Sequence, residues 1–263
     1  LSLALVAVAA LLVGSLLLSL GDVRAAGLGR SFWVANRRAS GRRVAASLLA
    51  TIVGAGATLG TTDLVATRGV TGAWLLGTAW PFLVGLAVLA PAIRRSQVRS
   101  ISDLLGRFGE APRRVGGAVV AVAWLGVLAT QVVALRALGE LMVPGHGMWA
   151  GAAAMAVVTA YTVLGGQPSV LRTDLAQLVV MAVGLLAPAG WLLATGAVMP
   201  ASAGPGPAPT PLAPVEWLTL SMTAGLPCLV GPDLYGRLLA ANDEGAARRA
   251  VALTLLGLPL LVA

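Results

Sequence analysis

The chain contains no lysine, one histidine (His146), one cysteine (Cys228) and only 10 acidic residues among its 263. Each scarcity closes off a class of protein. A lone cysteine excludes an internal disulfide and reads as a small apolar filler. His146, in the short turn "PGHG", has no nearby cysteine, so no zinc site forms from this pair. No Ser/His/Asp arrangement is legible, and enzyme activity is not expected. Charged residues make up 11% of the chain, where soluble domains approach a quarter. The missing charge is replaced by apolar residues, 58% of the total. They fall in recurring runs of about 20 residues, the length that crosses a bilayer as a helix. The composition therefore predicts an all-α polytopic membrane protein embedded in a lipid bilayer. The absence of lysine beside abundant Ala, Gly and Val reads as coding bias.

Eight apolar segments are predicted, at about 3–20, 44–66, 71–91, 114–141, 147–164, 173–196 and 216–235, with a last one beginning near 248. No soluble domain follows the first segment, which is expected to stay in the membrane. All 18 basic residues are arginines, and sixteen lie on alternate connections. The exceptions are Arg68, on the opposite side, and Arg136, inside the fourth segment. The positive-inside rule then sets the N-terminus outside and the 21–43 connection in the cytoplasm, in a bacterial plasma membrane. The stretch "PASAGPGPAPTPLAP", 200–214, is dense in proline and uncharged, and reads as an extracytoplasmic connector. The final 13 residues from Val251 are too short to span, so the chain is expected to be incomplete.

Two spans carry helix-weakening residues near their centres. The second holds Gly54 and Gly56, and the seventh holds Gly225, Pro227, Gly231 and Pro232 within "TAGLPCLVGPDLYG". Proline removes a helix hydrogen bond, and glycine eases an opened backbone. In lipid the freed carbonyls are tolerable only where they line a cavity or hold an ion. The seventh span lies five spans after the second and runs in the opposite direction. Corresponding helices of inverted five-helix repeats are related in this way. Close packing through Gly56-x-x-x-Gly60 is the alternative reading.

Four stretches give the chain a family likeness: "FWVANRRASGRRVAASLLATIVGAGATLG" (32–60), "RSISDLLGRFG" (99–109), "YTVLGGQPSVLRTDLAQLVVM" (161–181) and "GPDLYGRLLAANDEGAARRA" (231–250). Their order and spacing resemble the sodium:solute symporter family. The resemblance implies an inverted-repeat (LeuT-like) transporter fold, present in part. Residues 3–20 would form an extra N-terminal helix, 44–196 the first five-helix repeat, and 216–263 the start of the second. It implies secondary active transport of a small organic solute, coupled to Na⁺ by alternating access, with no cofactor. By position, the sodium ligands would be the backbone carbonyls of Ala50 and Val53. The family's hydroxyl ligands come from a helix beyond those present, and its common Ser after the second carbonyl donor is Gly54 here. The remaining partners would be further C-terminal helices or a C-terminal module. A transporter-like sensor domain and a truncated, non-transporting fragment are the alternative functions.

Individual residues refine these expectations. The solute is expected near Gly54 and Thr58 of the first break and Thr219, Thr223 and Leu226 of the second, where Ser221 and Met222 also lie. Asp174 is a carboxylate in a span, suited to an ion route or to an arginine of a gate, with Gln177 one turn later as a cross-helix hydrogen-bonding group. Asp233 and Arg237 are four apart and are expected to clamp the inner gate. Gly165-Gly166 predicts a tight turn. Arg136 and Glu140 share a helix face and are expected to pair. Asp63 is expected at the outer surface beside Arg68, and Trp149 and Trp217 at the membrane interface. No fixed charge lies between 217 and 232, and the pattern does not choose among sugars, amino acids, carboxylates or vitamins.

Overall fold

A computed structural model describes residues 3–23, 30–196 and 211–262. The helices are α1 (Leu3–Val23), α2 (Arg30–Val34), α3 (Gly41–Ile52), α4 (Ala55–Arg68), α5 (Trp74–Gly77), α6 (Ala79–Arg95) and α7 (Ile101–Leu105). They continue with α8 (Glu110–Met142), α9 (Gly147–Thr195), α10 (Pro214–Leu220), α11 (Pro227–Val230), α12 (Pro232–Leu239) and α13 (Glu244–Val262). Among the described residues there is no β-strand, only an isolated bridge between Ala39 and Ala241. Three helical stretches are long and apolar enough to cross a membrane: Gly56–Arg95, Glu110–Met142 and Gly147–Leu192. The chain is thus a helical, multi-pass membrane protein. Most of the proline-rich connector, 197–210, lies outside the described residues.

Two of those stretches fold back on themselves. At Gly69 the backbone adopts φ 68°. A Cβ on Gly72 would then stand 2.3 Å from the Leu64 carbonyl carbon, so only glycine fits where the chain turns against α4. At Gly166, φ is 57° inside α9. Tyr161 and Gln177, sixteen residues apart, meet across this bend at 3.3 Å between Gln177 Nε2 and the tyrosine hydroxyl. A straight helix would hold them roughly 24 Å apart. The turn expected at Gly165-Gly166 is therefore a sharp bend, and the two spans expected at 147–164 and 173–196 are its two arms. Gln177 does bond across helices, from one arm of α9 to the other.

The core gathers where α3, α6, α12 and α13 meet. Leu48, Leu83, Leu86, Leu238, Leu239 and Val251 are all buried there. Small residues bring α3 and α13 close: a Cβ on Gly41 would lie 2.9 Å from the Ala246 carbonyl oxygen. Interhelical packing between small residues is the usual means of association where lipid offers no hydrophobic contrast. The same end of the molecule collects arginines whose charge is met by carbonyls. Arg94 donates from Nε to Ala241 O at 2.6 Å and from Nη2 to Asn242 O at 3.0 Å. Ala39 bonds the backbone of Ala240 and Asn242 at 3.0 and 2.9 Å. α8 is exposed along most of its length, with Val119, Val122 and Leu125 more than 60% accessible. Such a face is apolar enough for lipid.

Candidate functional site: a cavity between two interrupted helices

Both spans expected to be interrupted are. α3 ends at Ile52 and α4 begins at Ala55, with Val53 (φ −86°, ψ 28°) and Gly54 (φ −67°, ψ 177°) between them. The extended ψ at Gly54 takes the chain out of the helix. The last carbonyls of α3 and the first amides of α4 thereby lose their intrahelical partners. A Cβ on Gly54 would stand 3.2 Å from the Thr51 carbonyl oxygen, so a side chain there would crowd the opened turn. The second interrupted span passes from α10 through a single π-helical turn, Ser221–Gly225, into α11, then breaks at Gly231 (ψ 125°) before α12. Each proline here sits just inside a new helix, Pro227 in α11 and Pro232 in α12, where its missing N–H is not needed.

The two broken spans lie antiparallel, and ion pairs join both ends. At the arginine-rich end, Arg237 Nη2 meets Asp174 Oδ2 at 3.0 Å, both side chains about 11% exposed. Arg237 Nε donates to Ser47 Oγ at 2.7 Å and Nη1 to the Asp233 carbonyl oxygen at 3.0 Å. Ser47 completes the ring by donating its hydroxyl to Asp174 Oδ2. Three elements, α3, α9 and α12, are tied by one buried network. At the opposite end Arg68 of α4 pairs with Glu216 of α10 at 3.0 Å, with both side chains 38% exposed. Glu216 also accepts from the Ala213 amide at 2.9 Å and so caps its own helix.

Between the two ends a cavity of about 340 Å³ lies against both breaks. Thr51, Ile52 and Gly56 line it from the first, and Thr223, Pro227 and Cys228 from the second. Asp233 is the one charged residue among those lining it, and Trp124 of α8 forms part of its wall. A larger groove of about 990 Å³ runs between α8 and the first arm of α9. It touches neither break, and apart from Arg136 and Thr159 its side chains are apolar, so a lipid-facing crevice describes it better.

The sodium:solute symporter family model matches residues 32–204. The chain belongs to this family. A search of curated proteins finds no match. Sodium:solute symporters are transporters and not enzymes. The matched range contains the first break, Ser47, Asp174 and Trp124, while Arg237 and the second break lie beyond it.

Within this symporter framework each expected site residue has a place. Ala50 and Val53 bracket the end of α3, with side chains 8% and 0% exposed, which leaves their carbonyls as the polar groups there. Thr223 lines the cavity. Gly54 is the N-cap of α4, and the Thr58 hydroxyl donates to its carbonyl at 3.1 Å. Thr219 donates to Val215 O at 2.8 Å on an exposed face, and Leu226 is the N-cap residue of α11. These four are not among the residues lining the cavity. Asp174 meets an arginine, as its position implied, and Asp233 with Arg237 belongs to the same end.

Other expectations change. Arg68 pairs with Glu216 rather than standing beside Asp63. Glu140 accepts from the Gly145 and Gly147 amides at 2.5 and 2.9 Å, which order the turn into α9, and closes no hydrogen-bonded pair with Arg136. Gly56 does not serve close packing: a Cβ there would meet nothing within 4 Å. Ser47 was not singled out by the sequence. Its signal was faint, a serine among apolar residues ahead of the break in "AASLLAT".

Proposed function

We propose that this chain belongs to a secondary transporter that moves a small organic solute with Na⁺ across a bacterial plasma membrane by alternating access. The observation that carries the reading is the juxtaposition of two antiparallel, interrupted helices across a cavity, with ion pairs at both ends. Sodium is a hard cation and takes oxygen ligands. The opened carbonyls of Ala50 and Val53 supply them without any acidic side chain, the arrangement expected where unwound backbone holds the coupling ion. The solute occupies the adjoining cavity, within reach of Thr223 and the first turn of α4. Residues 44–196 act as the first repeat and 216–263 as the opening of the second, with 3–20 as an additional helix. The antiparallel run of the two broken spans supports this division. The clustering of Arg37, Arg94 and Arg237 at one end supports a cytoplasmic assignment for it and an outside N-terminus.

The test needs no knowledge of the solute. The purified protein in lipid nanodiscs is melted in NaCl and in KCl at equal ionic strength. Binding to the folded state alone raises the midpoint with ligand concentration. The expected result is a midpoint that climbs with Na⁺ and not with K⁺, together with slower amide exchange at residues 50–58 in Na⁺. Superimposable melts and exchange in the two salts would refute the sodium site.

A further inference from the structure

The cavity has a charge preference of its own. Three charges lie near its base: Arg237, Asp174 and Asp233. Arg237 has every guanidinium nitrogen engaged, on Ser47, on the Asp233 backbone carbonyl and on Asp174. Asp174 has the arginine and the Ser47 hydroxyl. The Asp233 carboxylate makes no ion pair or side-chain hydrogen bond among the described residues, although it is only partly exposed and lines the cavity. It sits in the first turn of α12, where an acidic residue is favoured by the helix. That local benefit explains its tolerance there, and no cationic side chain among the described residues meets its carboxylate. One cation against two carboxylates gives the group a net charge of minus one. One further feature of the wall favours a positive guest: it includes Trp124, and an indole face attracts ammonium groups. No lysine or arginine lines the cavity to receive an anion.

We propose that the transported solute carries an ammonium group, received in this cavity between Asp233 and Trp124. The inference rests on the transport reading above and narrows its substrate class to small organic cations or zwitterions presenting their ammonium end. At about 340 Å³ the cavity suits a head group with a few carbons. The sequence placed Asp233 at a gate, one residue outside the uncharged stretch 217–232. Only the break at Gly231 turns it towards the solute space.

Three probes that share one tert-butyl body separate charge from shape: tert-butylammonium, tert-butanol and pivalate. Each is titrated calorimetrically into the full chain in nanodiscs, with NaCl and with KCl. The expected order is tert-butylammonium well ahead of the other two, in NaCl. D233N should weaken tert-butylammonium by at least about tenfold, and W124L by a smaller factor. Both variants should keep the Na⁺-dependent melting shift, which shows that they fold and that the carboxylate serves the solute. Equal or stronger binding of pivalate would overturn the inference. So would a D233N variant that loses the Na⁺ shift while keeping the order of the three probes, since Asp233 would then serve the ion. A Na⁺ shift with no binding of any probe would overturn the ammonium assignment and leave the transport reading standing. Absence of both would remove the two together.

Discussion

Arg237 places each of its guanidinium nitrogens on a different acceptor, and those acceptors come from three helices. A buried ion pair is not in itself strongly stabilising, because desolvation offsets much of the attraction. Removing one partner is costly, since the other charge is left uncompensated. Asp174→Asn is therefore expected to destabilise the fold by about 3–5 kcal/mol, and Ser47→Ala by about 1–3 kcal/mol through the orphaned acceptor and donor. Combining Asp174→Asn with Arg237→Gln should recover part of the loss, because no bare charge remains. Denaturation of the three variants in one detergent checks this. An Asp174→Asn protein that melts with the parent would show that the pair is incidental. Asp174 was legible in the sequence because a carboxylate within a span is rare. Its partners were not, since Ser47 lies 127 positions away and Arg237 63. Nothing in a local pattern encodes such a pairing.

At the scale of elements, glycines with opposite roles sit on the two interrupted spans. Gly225, in the π-helical turn, is in tight contact: a Cβ there would stand 2.4 Å from the Thr78 carbonyl oxygen and 2.7 Å from the Phe82 ring. Gly56 faces open space and lines the cavity. Gly225→Ala should consequently lower the melting point, by an amount typical of overpacking, about 1–3 kcal/mol. Gly56→Leu should leave stability nearly unchanged while filling the cavity and abolishing solute binding. Melting and binding measured on the same two preparations separate these outcomes; a strongly destabilised Gly56→Leu would mean that α4 packs more closely than described. Composition located the long apolar helical stretches, and helix punctuation both breaks, because proline, glycine and apolar run length act locally. The bend inside α9 was legible as well, since Gly165-Gly166 marked a turn there and Gly166 takes a positive φ. The π-helical turn at Ser221–Gly225 was not, because it depends on what packs against Gly225. Of the residues expected to meet the solute, Thr223 alone lines the cavity, while Gly56 and Pro227 of the expected breaks line it too. Asp233 and Trp124 enter through the way α12 and α8 are set against the first break.

For the molecule as a whole, the two ends of the broken helices are held with unequal strength. The arginine-rich end has the buried network of Ser47, Asp174 and Arg237, reinforced by the Ala39–Ala241 bridge and by Arg94 on neighbouring carbonyls. Among the described residues the opposite end has one ion pair, Arg68–Glu216, more than a third exposed on each side. Exposed pairs are weak and screened by salt, so this end should open more readily. The protein carries its own reporter of opening: Cys228 is the only cysteine, is 7% exposed, and lines the cavity between the ends. A membrane-impermeant maleimide applied to sealed vesicles of known orientation should reach it faster from the Arg68–Glu216 face than from the other. Raising the salt should increase that rate, and Glu216→Gln should increase it by a few-fold, the scale of an exposed pair. Asp174→Asn should speed labelling from the arginine-rich face and leave the opposite face unchanged. If either substitution accelerated labelling equally from both faces, the ion pairs would be maintaining the fold in general, and the description of two separately closable ends would fail.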